Sequence, residues 1–207
     1  MSIVKLNNQG VKNATAFGSI TGLGSMTFIK KLTASSSGTL SFVDGASGVV
    51  LDNTYKEYLF TFNNIHPSQD GSTFFSFNMS VDSGSNYNVA KTTTDFYAYH
   101  NESGSSSGIY YDTNYDLAQG TGFKTLCDDI GADADQNANG TFNLFNPSST
   151  TFVKHFTCRI AVSQSADYAM DLYTAGYGNT TSAVDAIQFK MSSGNIDAGD
   201  ICLYGIA

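Results

Sequence analysis

The chain of 207 residues sets ten Lys and Arg against eighteen Asp and Glu, a formal charge of -8, and only 14% of its residues are charged. That balance repels phosphate backbones and leaves little for counterion release, so nucleic acid is excluded as an expected partner. Fifteen Phe, twelve Tyr and twenty Gly with two Pro suit strands joined by tight turns, at a length sufficient for one substantial core.

Residues 1–25 mix short apolar pairs with Gly, Asn and Ser and show no long periodic segment. They read as an extended N-terminal arm ahead of a body spanning 26–207. Such a segment buries too little apolar surface alone, so Ile3, Val4, Leu6, Val11, Phe17 and Ile20 need cover from the body or a neighbouring subunit. The arm is therefore a candidate anchor, with a first strand of the body as the competing reading. It has no apolar run of seven or more residues, and nothing in the chain approaches a membrane span. A soluble protein made in the cytosol is the expectation.

From Met26 onward the apolar spacing has a period of two, the mark of half-buried strands. Strands are predicted near 27–32, 39–43, 55–62, 74–81, 95–100, 108–112, 141–145, 152–162, 168–174, 184–191 and 201–206. Tyr58, Phe60 and Phe62 share one face; Phe75, Phe77, Met79 and Val81 share another. Along 152–162 the inward set is Phe152, Phe156, Cys158, Ile160 and Val162, with Lys154 as the exception. His155 falls on the opposite face, with Val153, Thr157 and Arg159. Segment 116–130 is the one place for a short helix, although it carries Gly120 and Gly122. The last eighteen residues, FKMSSGNIDAGDICLYGI over 189–206, read as a hairpin that closes a sheet. The fold class is all-β, an antiparallel β-sandwich of jelly-roll type with the arm in front.

Reactive constellations are sparse. Cys127, Cys158 and Cys202 are odd in number, far apart and without CxxC, which suits reduced buried thiols. His66, His100 and His155 lie in separate segments with no spacing that sets two imidazoles on one face. The oxygen-rich stretch 133–140 fails the EF-hand pattern at Ala138 and Leu144 and reads as a polar loop, with an incidental weak cation site as the alternative. Asp128, Asp129, Asp133 and Asp135 cluster locally instead of facing one another across a cleft, and no GxSxG elbow occurs. No catalytic residue, metal or cofactor is expected. Tyr97, Tyr99, Tyr110, Tyr111, Tyr115, Tyr173 and Tyr177 recur beside polar loops and are candidates for a glycan or protein contact, against strand packing with the hydroxyl at the rim.

Distinctive blocks run along nearly the whole chain: MSIVKLNN at 1–8 with GVK at 10–12, FIKKLTAS at 28–35, YKEY at 55–58 and NIHP at 64–67. They continue with LFNPSSTTFVKH at 144–155, AGYGNTT at 175–181, SGNIDAG at 193–199 and LYGI at 203–206. In combination these resemble virion structural proteins, decoration or fibre-like, of tailed marine bacteriophages of the cyanophage type. The resemblance implies a protein made in the host cytoplasm and placed in the virion, with capsid or fibre proteins and sister subunits as partners. A homo-oligomer is expected, a trimer among its admissible forms. An outer-capsid decoration protein is the leading expectation, and a tail or head fibre module that binds host surface glycans is the alternative.

Overall fold

Alternation of large apolar with small polar side chains gives the strands Glu57–Pro67 and Lys154–Gln164 one face for a core and one for water, whereas Phe75–Ser80 is buried on both faces and Ser107–Tyr111 exposed on both. In the computed structural model, which describes residues 25–71 and 73–207, this produces twelve strands and no helix among the described residues. Eight form one sheet, in spatial order β1 (Met26–Thr33), β12 (Ile196–Ile206), β3 (Glu57–Pro67), β8 (Ala138–Phe145), β9 (Lys154–Gln164), β10 (Tyr168–Gly178), β5 (Lys91–Asn101) and β6 (Ser107–Tyr111). Four form the second, in the order β2 (Leu40–Val43), β11 (Ala186–Met191), β4 (Phe75–Ser80) and β7 (Lys124–Cys127). Every pairing is antiparallel, and the sheets make a β-sandwich, as the alternation predicts.

The core is a block of phenylalanines from both layers. Phe60, Phe62, Phe142 and Phe156 from the large sheet meet Phe42, Phe75, Phe77 and Phe189 from the small one, and all eight are buried. Phe189 is central: its ring lies between 5.2 and 6.4 Å from six others. Edge-to-face contacts dominate, as the ring quadrupole favours. Cys127, Cys158 and Cys202 are buried free thiols, and burial raises the pKa of Cys127 and Cys158.

Several expectations are corrected. The last two strands are no hairpin: β11 lies between β2 and β4 while β12 lies between β1 and β3, so the turn at Gly194 passes from one layer to the other. Each strand already has two neighbours and offers no free edge to the other. The segment 116–130 holds no helix; its residues 124–127 pair with β4, and Gly120 bridges to Lys91. Val81, just past the end of β4, is exposed, and Phe152, ahead of β9, is 68% exposed. Alternation stops binding a residue to a face once the ladder ends. Lys154, by contrast, keeps its inward position and is fully buried, its amine donating to the carbonyls of Phe152 and Thr180 at 2.7 and 3.1 Å.

At Gly199 the backbone takes φ +115°, a conformation L side chains rarely adopt, and the register between β12 and β3 shifts there. A Cβ at this position would stand 2.5 Å from the carbonyl oxygen of Asn64, so the bulge depends on glycine.

Candidate functional site

Strand period divides the seven candidate tyrosines before any tertiary contact forms. Tyr97 and Tyr99 share a face of β5, while the adjacent Tyr110 and Tyr111 of β6 must point to opposite faces. Register completes the division: Tyr110 sits opposite Tyr97, and Tyr111 sits opposite Phe96. Tyr97, Tyr99 and Tyr110 therefore line the inner face, whereas Tyr111, Tyr173 and Tyr177 belong to the outer one. The structure does not bring the seven together.

On the inner side, four strands lie against eight, and the loop after β7 takes the place of a further strand. That loop is tied to the end of β9 through the Ile130 to Gln164 bridge and through Ser165 N donating to Asp129 O at 2.9 Å. Between it and the sheet is a cavity of about 390 Å³ lined by Tyr97, Tyr99, Tyr110, Tyr168, Asp128 and Gln164. The rings of Tyr97 and Tyr110 are 5.6 Å apart, and those of Tyr99 and Tyr168 are 5.9 Å apart. Burial, with Asp129 beside it, pushes the Asp128 carboxyl up to about 6. The Tyr115 ring lies tilted against that of Phe74, centroids 5.2 Å apart, and burial reinforced by the charges of Asp128 and Asp129 raises its hydroxyl to about 12.

The outer side carries a flat platform. Tyr173 of β10 faces Phe96 of β5 on one flank and Arg159 of β9 on the other. The Tyr173 and Phe96 rings stack in parallel, and the Arg159 guanidinium carbon lies 5.1 Å from the Tyr173 centroid. Arg159 grips Asp171 with two bonds, Nε to Oδ1 at 3.0 Å and Nη2 to Oδ2 at 2.8 Å, and the Tyr173 hydroxyl donates to the same Oδ2 at 3.0 Å. The Arg159 bond holds the Asp171 carboxyl below its ordinary range, and the bond to Asp171 raises the Tyr173 hydroxyl. Beside this fork the small side chains of Ala98, Ala161 and Ala169 leave an open groove of about 770 Å³. Tyr177 lies further along the same face with its ring 5.9 Å from that of His155. Stacked rings beside a fixed fork of donors and acceptors suit a sugar ring or an incoming peptide.

The large sheet ends in β6, whose five residues are all exposed, Ile109 at 80%. Its other edge, β1, exposes Met26 and Phe28. The arm residues Ile3, Val4, Leu6, Val11, Phe17 and Ile20 lie outside the described residues.

Asp133 and Asp135 are exposed, while Asp128 faces the inner cavity. His66 approaches the carbonyl of Asp133 at 3.3 Å, His100 borders the outer groove and His155 meets Tyr177, three separate places. Among the described residues, no three His, Cys, Asp or Glu side chains converge to hold a metal.

Sequence reasoning missed the Arg159 to Asp171 fork and the buried lysines Lys91 and Lys124. Lys154 had a visible signal, a charge at an inward position of an alternating run. The others had none, because their partners lie on strands whose neighbours only the sheet order defines. No family model, curated protein or solved structure matches the chain.

Proposed function

We propose that the chain is an accessory structural protein of a tailed-phage virion, an outer-capsid decoration protein held by burial of its arm and one sandwich edge, with no turnover. The observation that carries this reading is the open edge β6. Free edges are normally blunted by charge or proline, because they present unpaired N–H and C=O groups to any passing strand. The sequence of β6, Ser-Gly-Ile-Tyr-Tyr, has neither, and Phe96 beside it extends the exposed apolar surface. An edge left this way suits strand addition by a sister subunit or a capsid protein. The blocks that resemble marine phage virion proteins point to the same setting.

The test charges the edge. Ile109→Lys combined with Tyr111→Lys should leave a folded protein that no longer oligomerises in light scattering and no longer joins particles. Unchanged assembly and incorporation of this variant would refute the edge as the contact.

A second reading, a head or tail fibre module that binds host surface glycans, is favoured by the outer platform of Phe96, Tyr173, Arg159 and Asp171. A glycan array separates the two. Selective saccharide retention that is lost in Arg159→Ala, with particle incorporation intact, would favour the adhesin.

A further inference from the structure

Lysines are rarely buried without a full set of partners, because removing an ammonium from water costs several kcal/mol, about enough to neutralise the group. Here Lys124 is almost fully buried, and its amine lies 2.8 Å from Oδ2 of Asp95, itself buried. The contact lacks hydrogen-bond geometry, and Oδ2 has no hydrogen-bond partner of its own. The amine donates instead to the carbonyl of Thr125, and Asp95 Oδ1 accepts the Thr174 hydroxyl at 2.6 Å. Amine and carboxyl are thus each pinned by a further bond and pressed together. A third group is present: Asp112 borders the same small cavity, together with Tyr97, Leu126 and Leu172, and its backbone N–H donates to the Asp95 carbonyl at 3.1 Å.

We propose that Lys124 and Asp95 condense into an isopeptide bond that joins the two sheets, with Asp112 moving the proton. The three groups have the roles such a condensation requires: a nucleophile, an acyl carbon and an acid–base partner inside an apolar pocket. A proton passes from the lysine ammonium to the aspartate, leaving a free amine and a carboxylic acid. The nitrogen lone pair attacks Cγ of Asp95, and a Cγ–Nζ bond forms. The Asp112 carboxylate takes a proton from this nitrogen and delivers it to the departing hydroxyl. One Cγ–O bond breaks and one water leaves, so the step needs neither oxidant nor cofactor. Burial lowers the amine pKa and so favours its nucleophilic form. The cavity measures about 10 Å³, at the lower limit of the roughly 10–15 Å³ that a single water needs, so it has room for one water at most.

The geometry gives the bond a purpose. Asp95 is on β5 of the large sheet and Lys124 on β7 at the edge of the small one. A covalent tie between them closes the loop 95–124 and restricts the unfolded chain as other cross-links do. The Lys91 amine contacts the Asn78 side-chain oxygen at 2.5 Å across the same two layers, but no carboxyl borders that contact among the bonds made by either group.

Intact-mass spectrometry of the full chain, followed by trypsin digestion and fragmentation, tests the proposal. The expected result is a mass one water lower, no cleavage after Lys124, and fragments that join Asp95 to Lys124. Lys124→Met should show the full mass, and Asp112→Asn, checked for folding by circular dichroism, should form the bond about 10²-fold more slowly or not at all, the scale of lost general acid–base help. An unreduced mass in the folded wild-type protein overturns the proposal. So does loss of water traced to a succinimide at Asp44 or Asp70, each followed by glycine, with normal cleavage after Lys124. Loss of ammonia mapped to Lys91 and Asn78, with Lys124 free, overturns it too. Bond formation at the wild-type rate in Asp112→Asn refutes the assigned proton transfer.

Discussion

Tyr173 and Phe96 stack at 4.8 Å with ring planes 2° apart, on neighbouring strands and on the solvent side of the large sheet. Such a pair contributes about 0.5–1.5 kcal/mol beyond area burial. Tyr173→Ala should therefore lower stability by only about 1 kcal/mol in urea titration while removing the flat surface beside Arg159. A loss above about 3 kcal/mol, the range of core truncations, would show the ring to be structural.

Phe189→Ala is expected to behave in the opposite way. Its fully buried ring touches rings from both layers, and phenylalanine truncation in a packed core costs about 3–5 kcal/mol. Equilibrium denaturation should show this as a large drop in midpoint; a change under about 1 kcal/mol would mean that the layers are not packed through this residue.

Asp128 gives a pH-dependent signature. Its carboxyl has a value of about 6 in the fold against an ordinary 3.8, so the folded state binds the extra proton between these values. Stability is then lost as pH rises through that window, and the penalty for holding the charge is complete above about 6. Asp128→Asn should stabilise the protein at neutral pH by an amount on the order of 3 kcal/mol and leave it nearly unchanged at acid pH. Denaturation of both proteins across the window measures the difference; a constant offset would refute the assignment.

Lys91 works with the opposite sign. Burial lowers its amine to about 7 from an ordinary 10.5, so between these values the unfolded chain binds the extra proton and stability rises with pH. Lys91→Met should gain most over the wild-type protein below about 7 and lose that gain by about 10.5. The amine's bonds to Asn78 and Val89 favour wild type once it is neutral. A pH-independent difference would mean that Lys91 is not titrating within the fold.

The large inward residues of β3, β4 and β9, Phe60, Phe77 and Ile160 among them, were legible because alternation is a local property of the chain. The same rule misled at strand ends, where Val81 and Phe152 escape the ladder. It misled again over 189–206, since a turn between two strands looks alike whether it stays in one sheet or crosses to the other. The tyrosines were read from the sequence as one set, although strand period puts Tyr110 and Tyr111 on opposite faces, and spacing said nothing of Phe96, which becomes a neighbour of Tyr173 only through the order of β10 and β5.

The sequence by itself determined an all-β sandwich with phenylalanines turned inward and an acidic, sparsely charged composition, because composition and period-two burial act within each strand. Only the tertiary structure decided which strands share a layer, and with that the meeting of Lys124 with Asp95 and of Arg159 with Asp171. Those contacts depend on register and sheet order, which are set by the simultaneous burial of distant segments and leave no mark in local spacing.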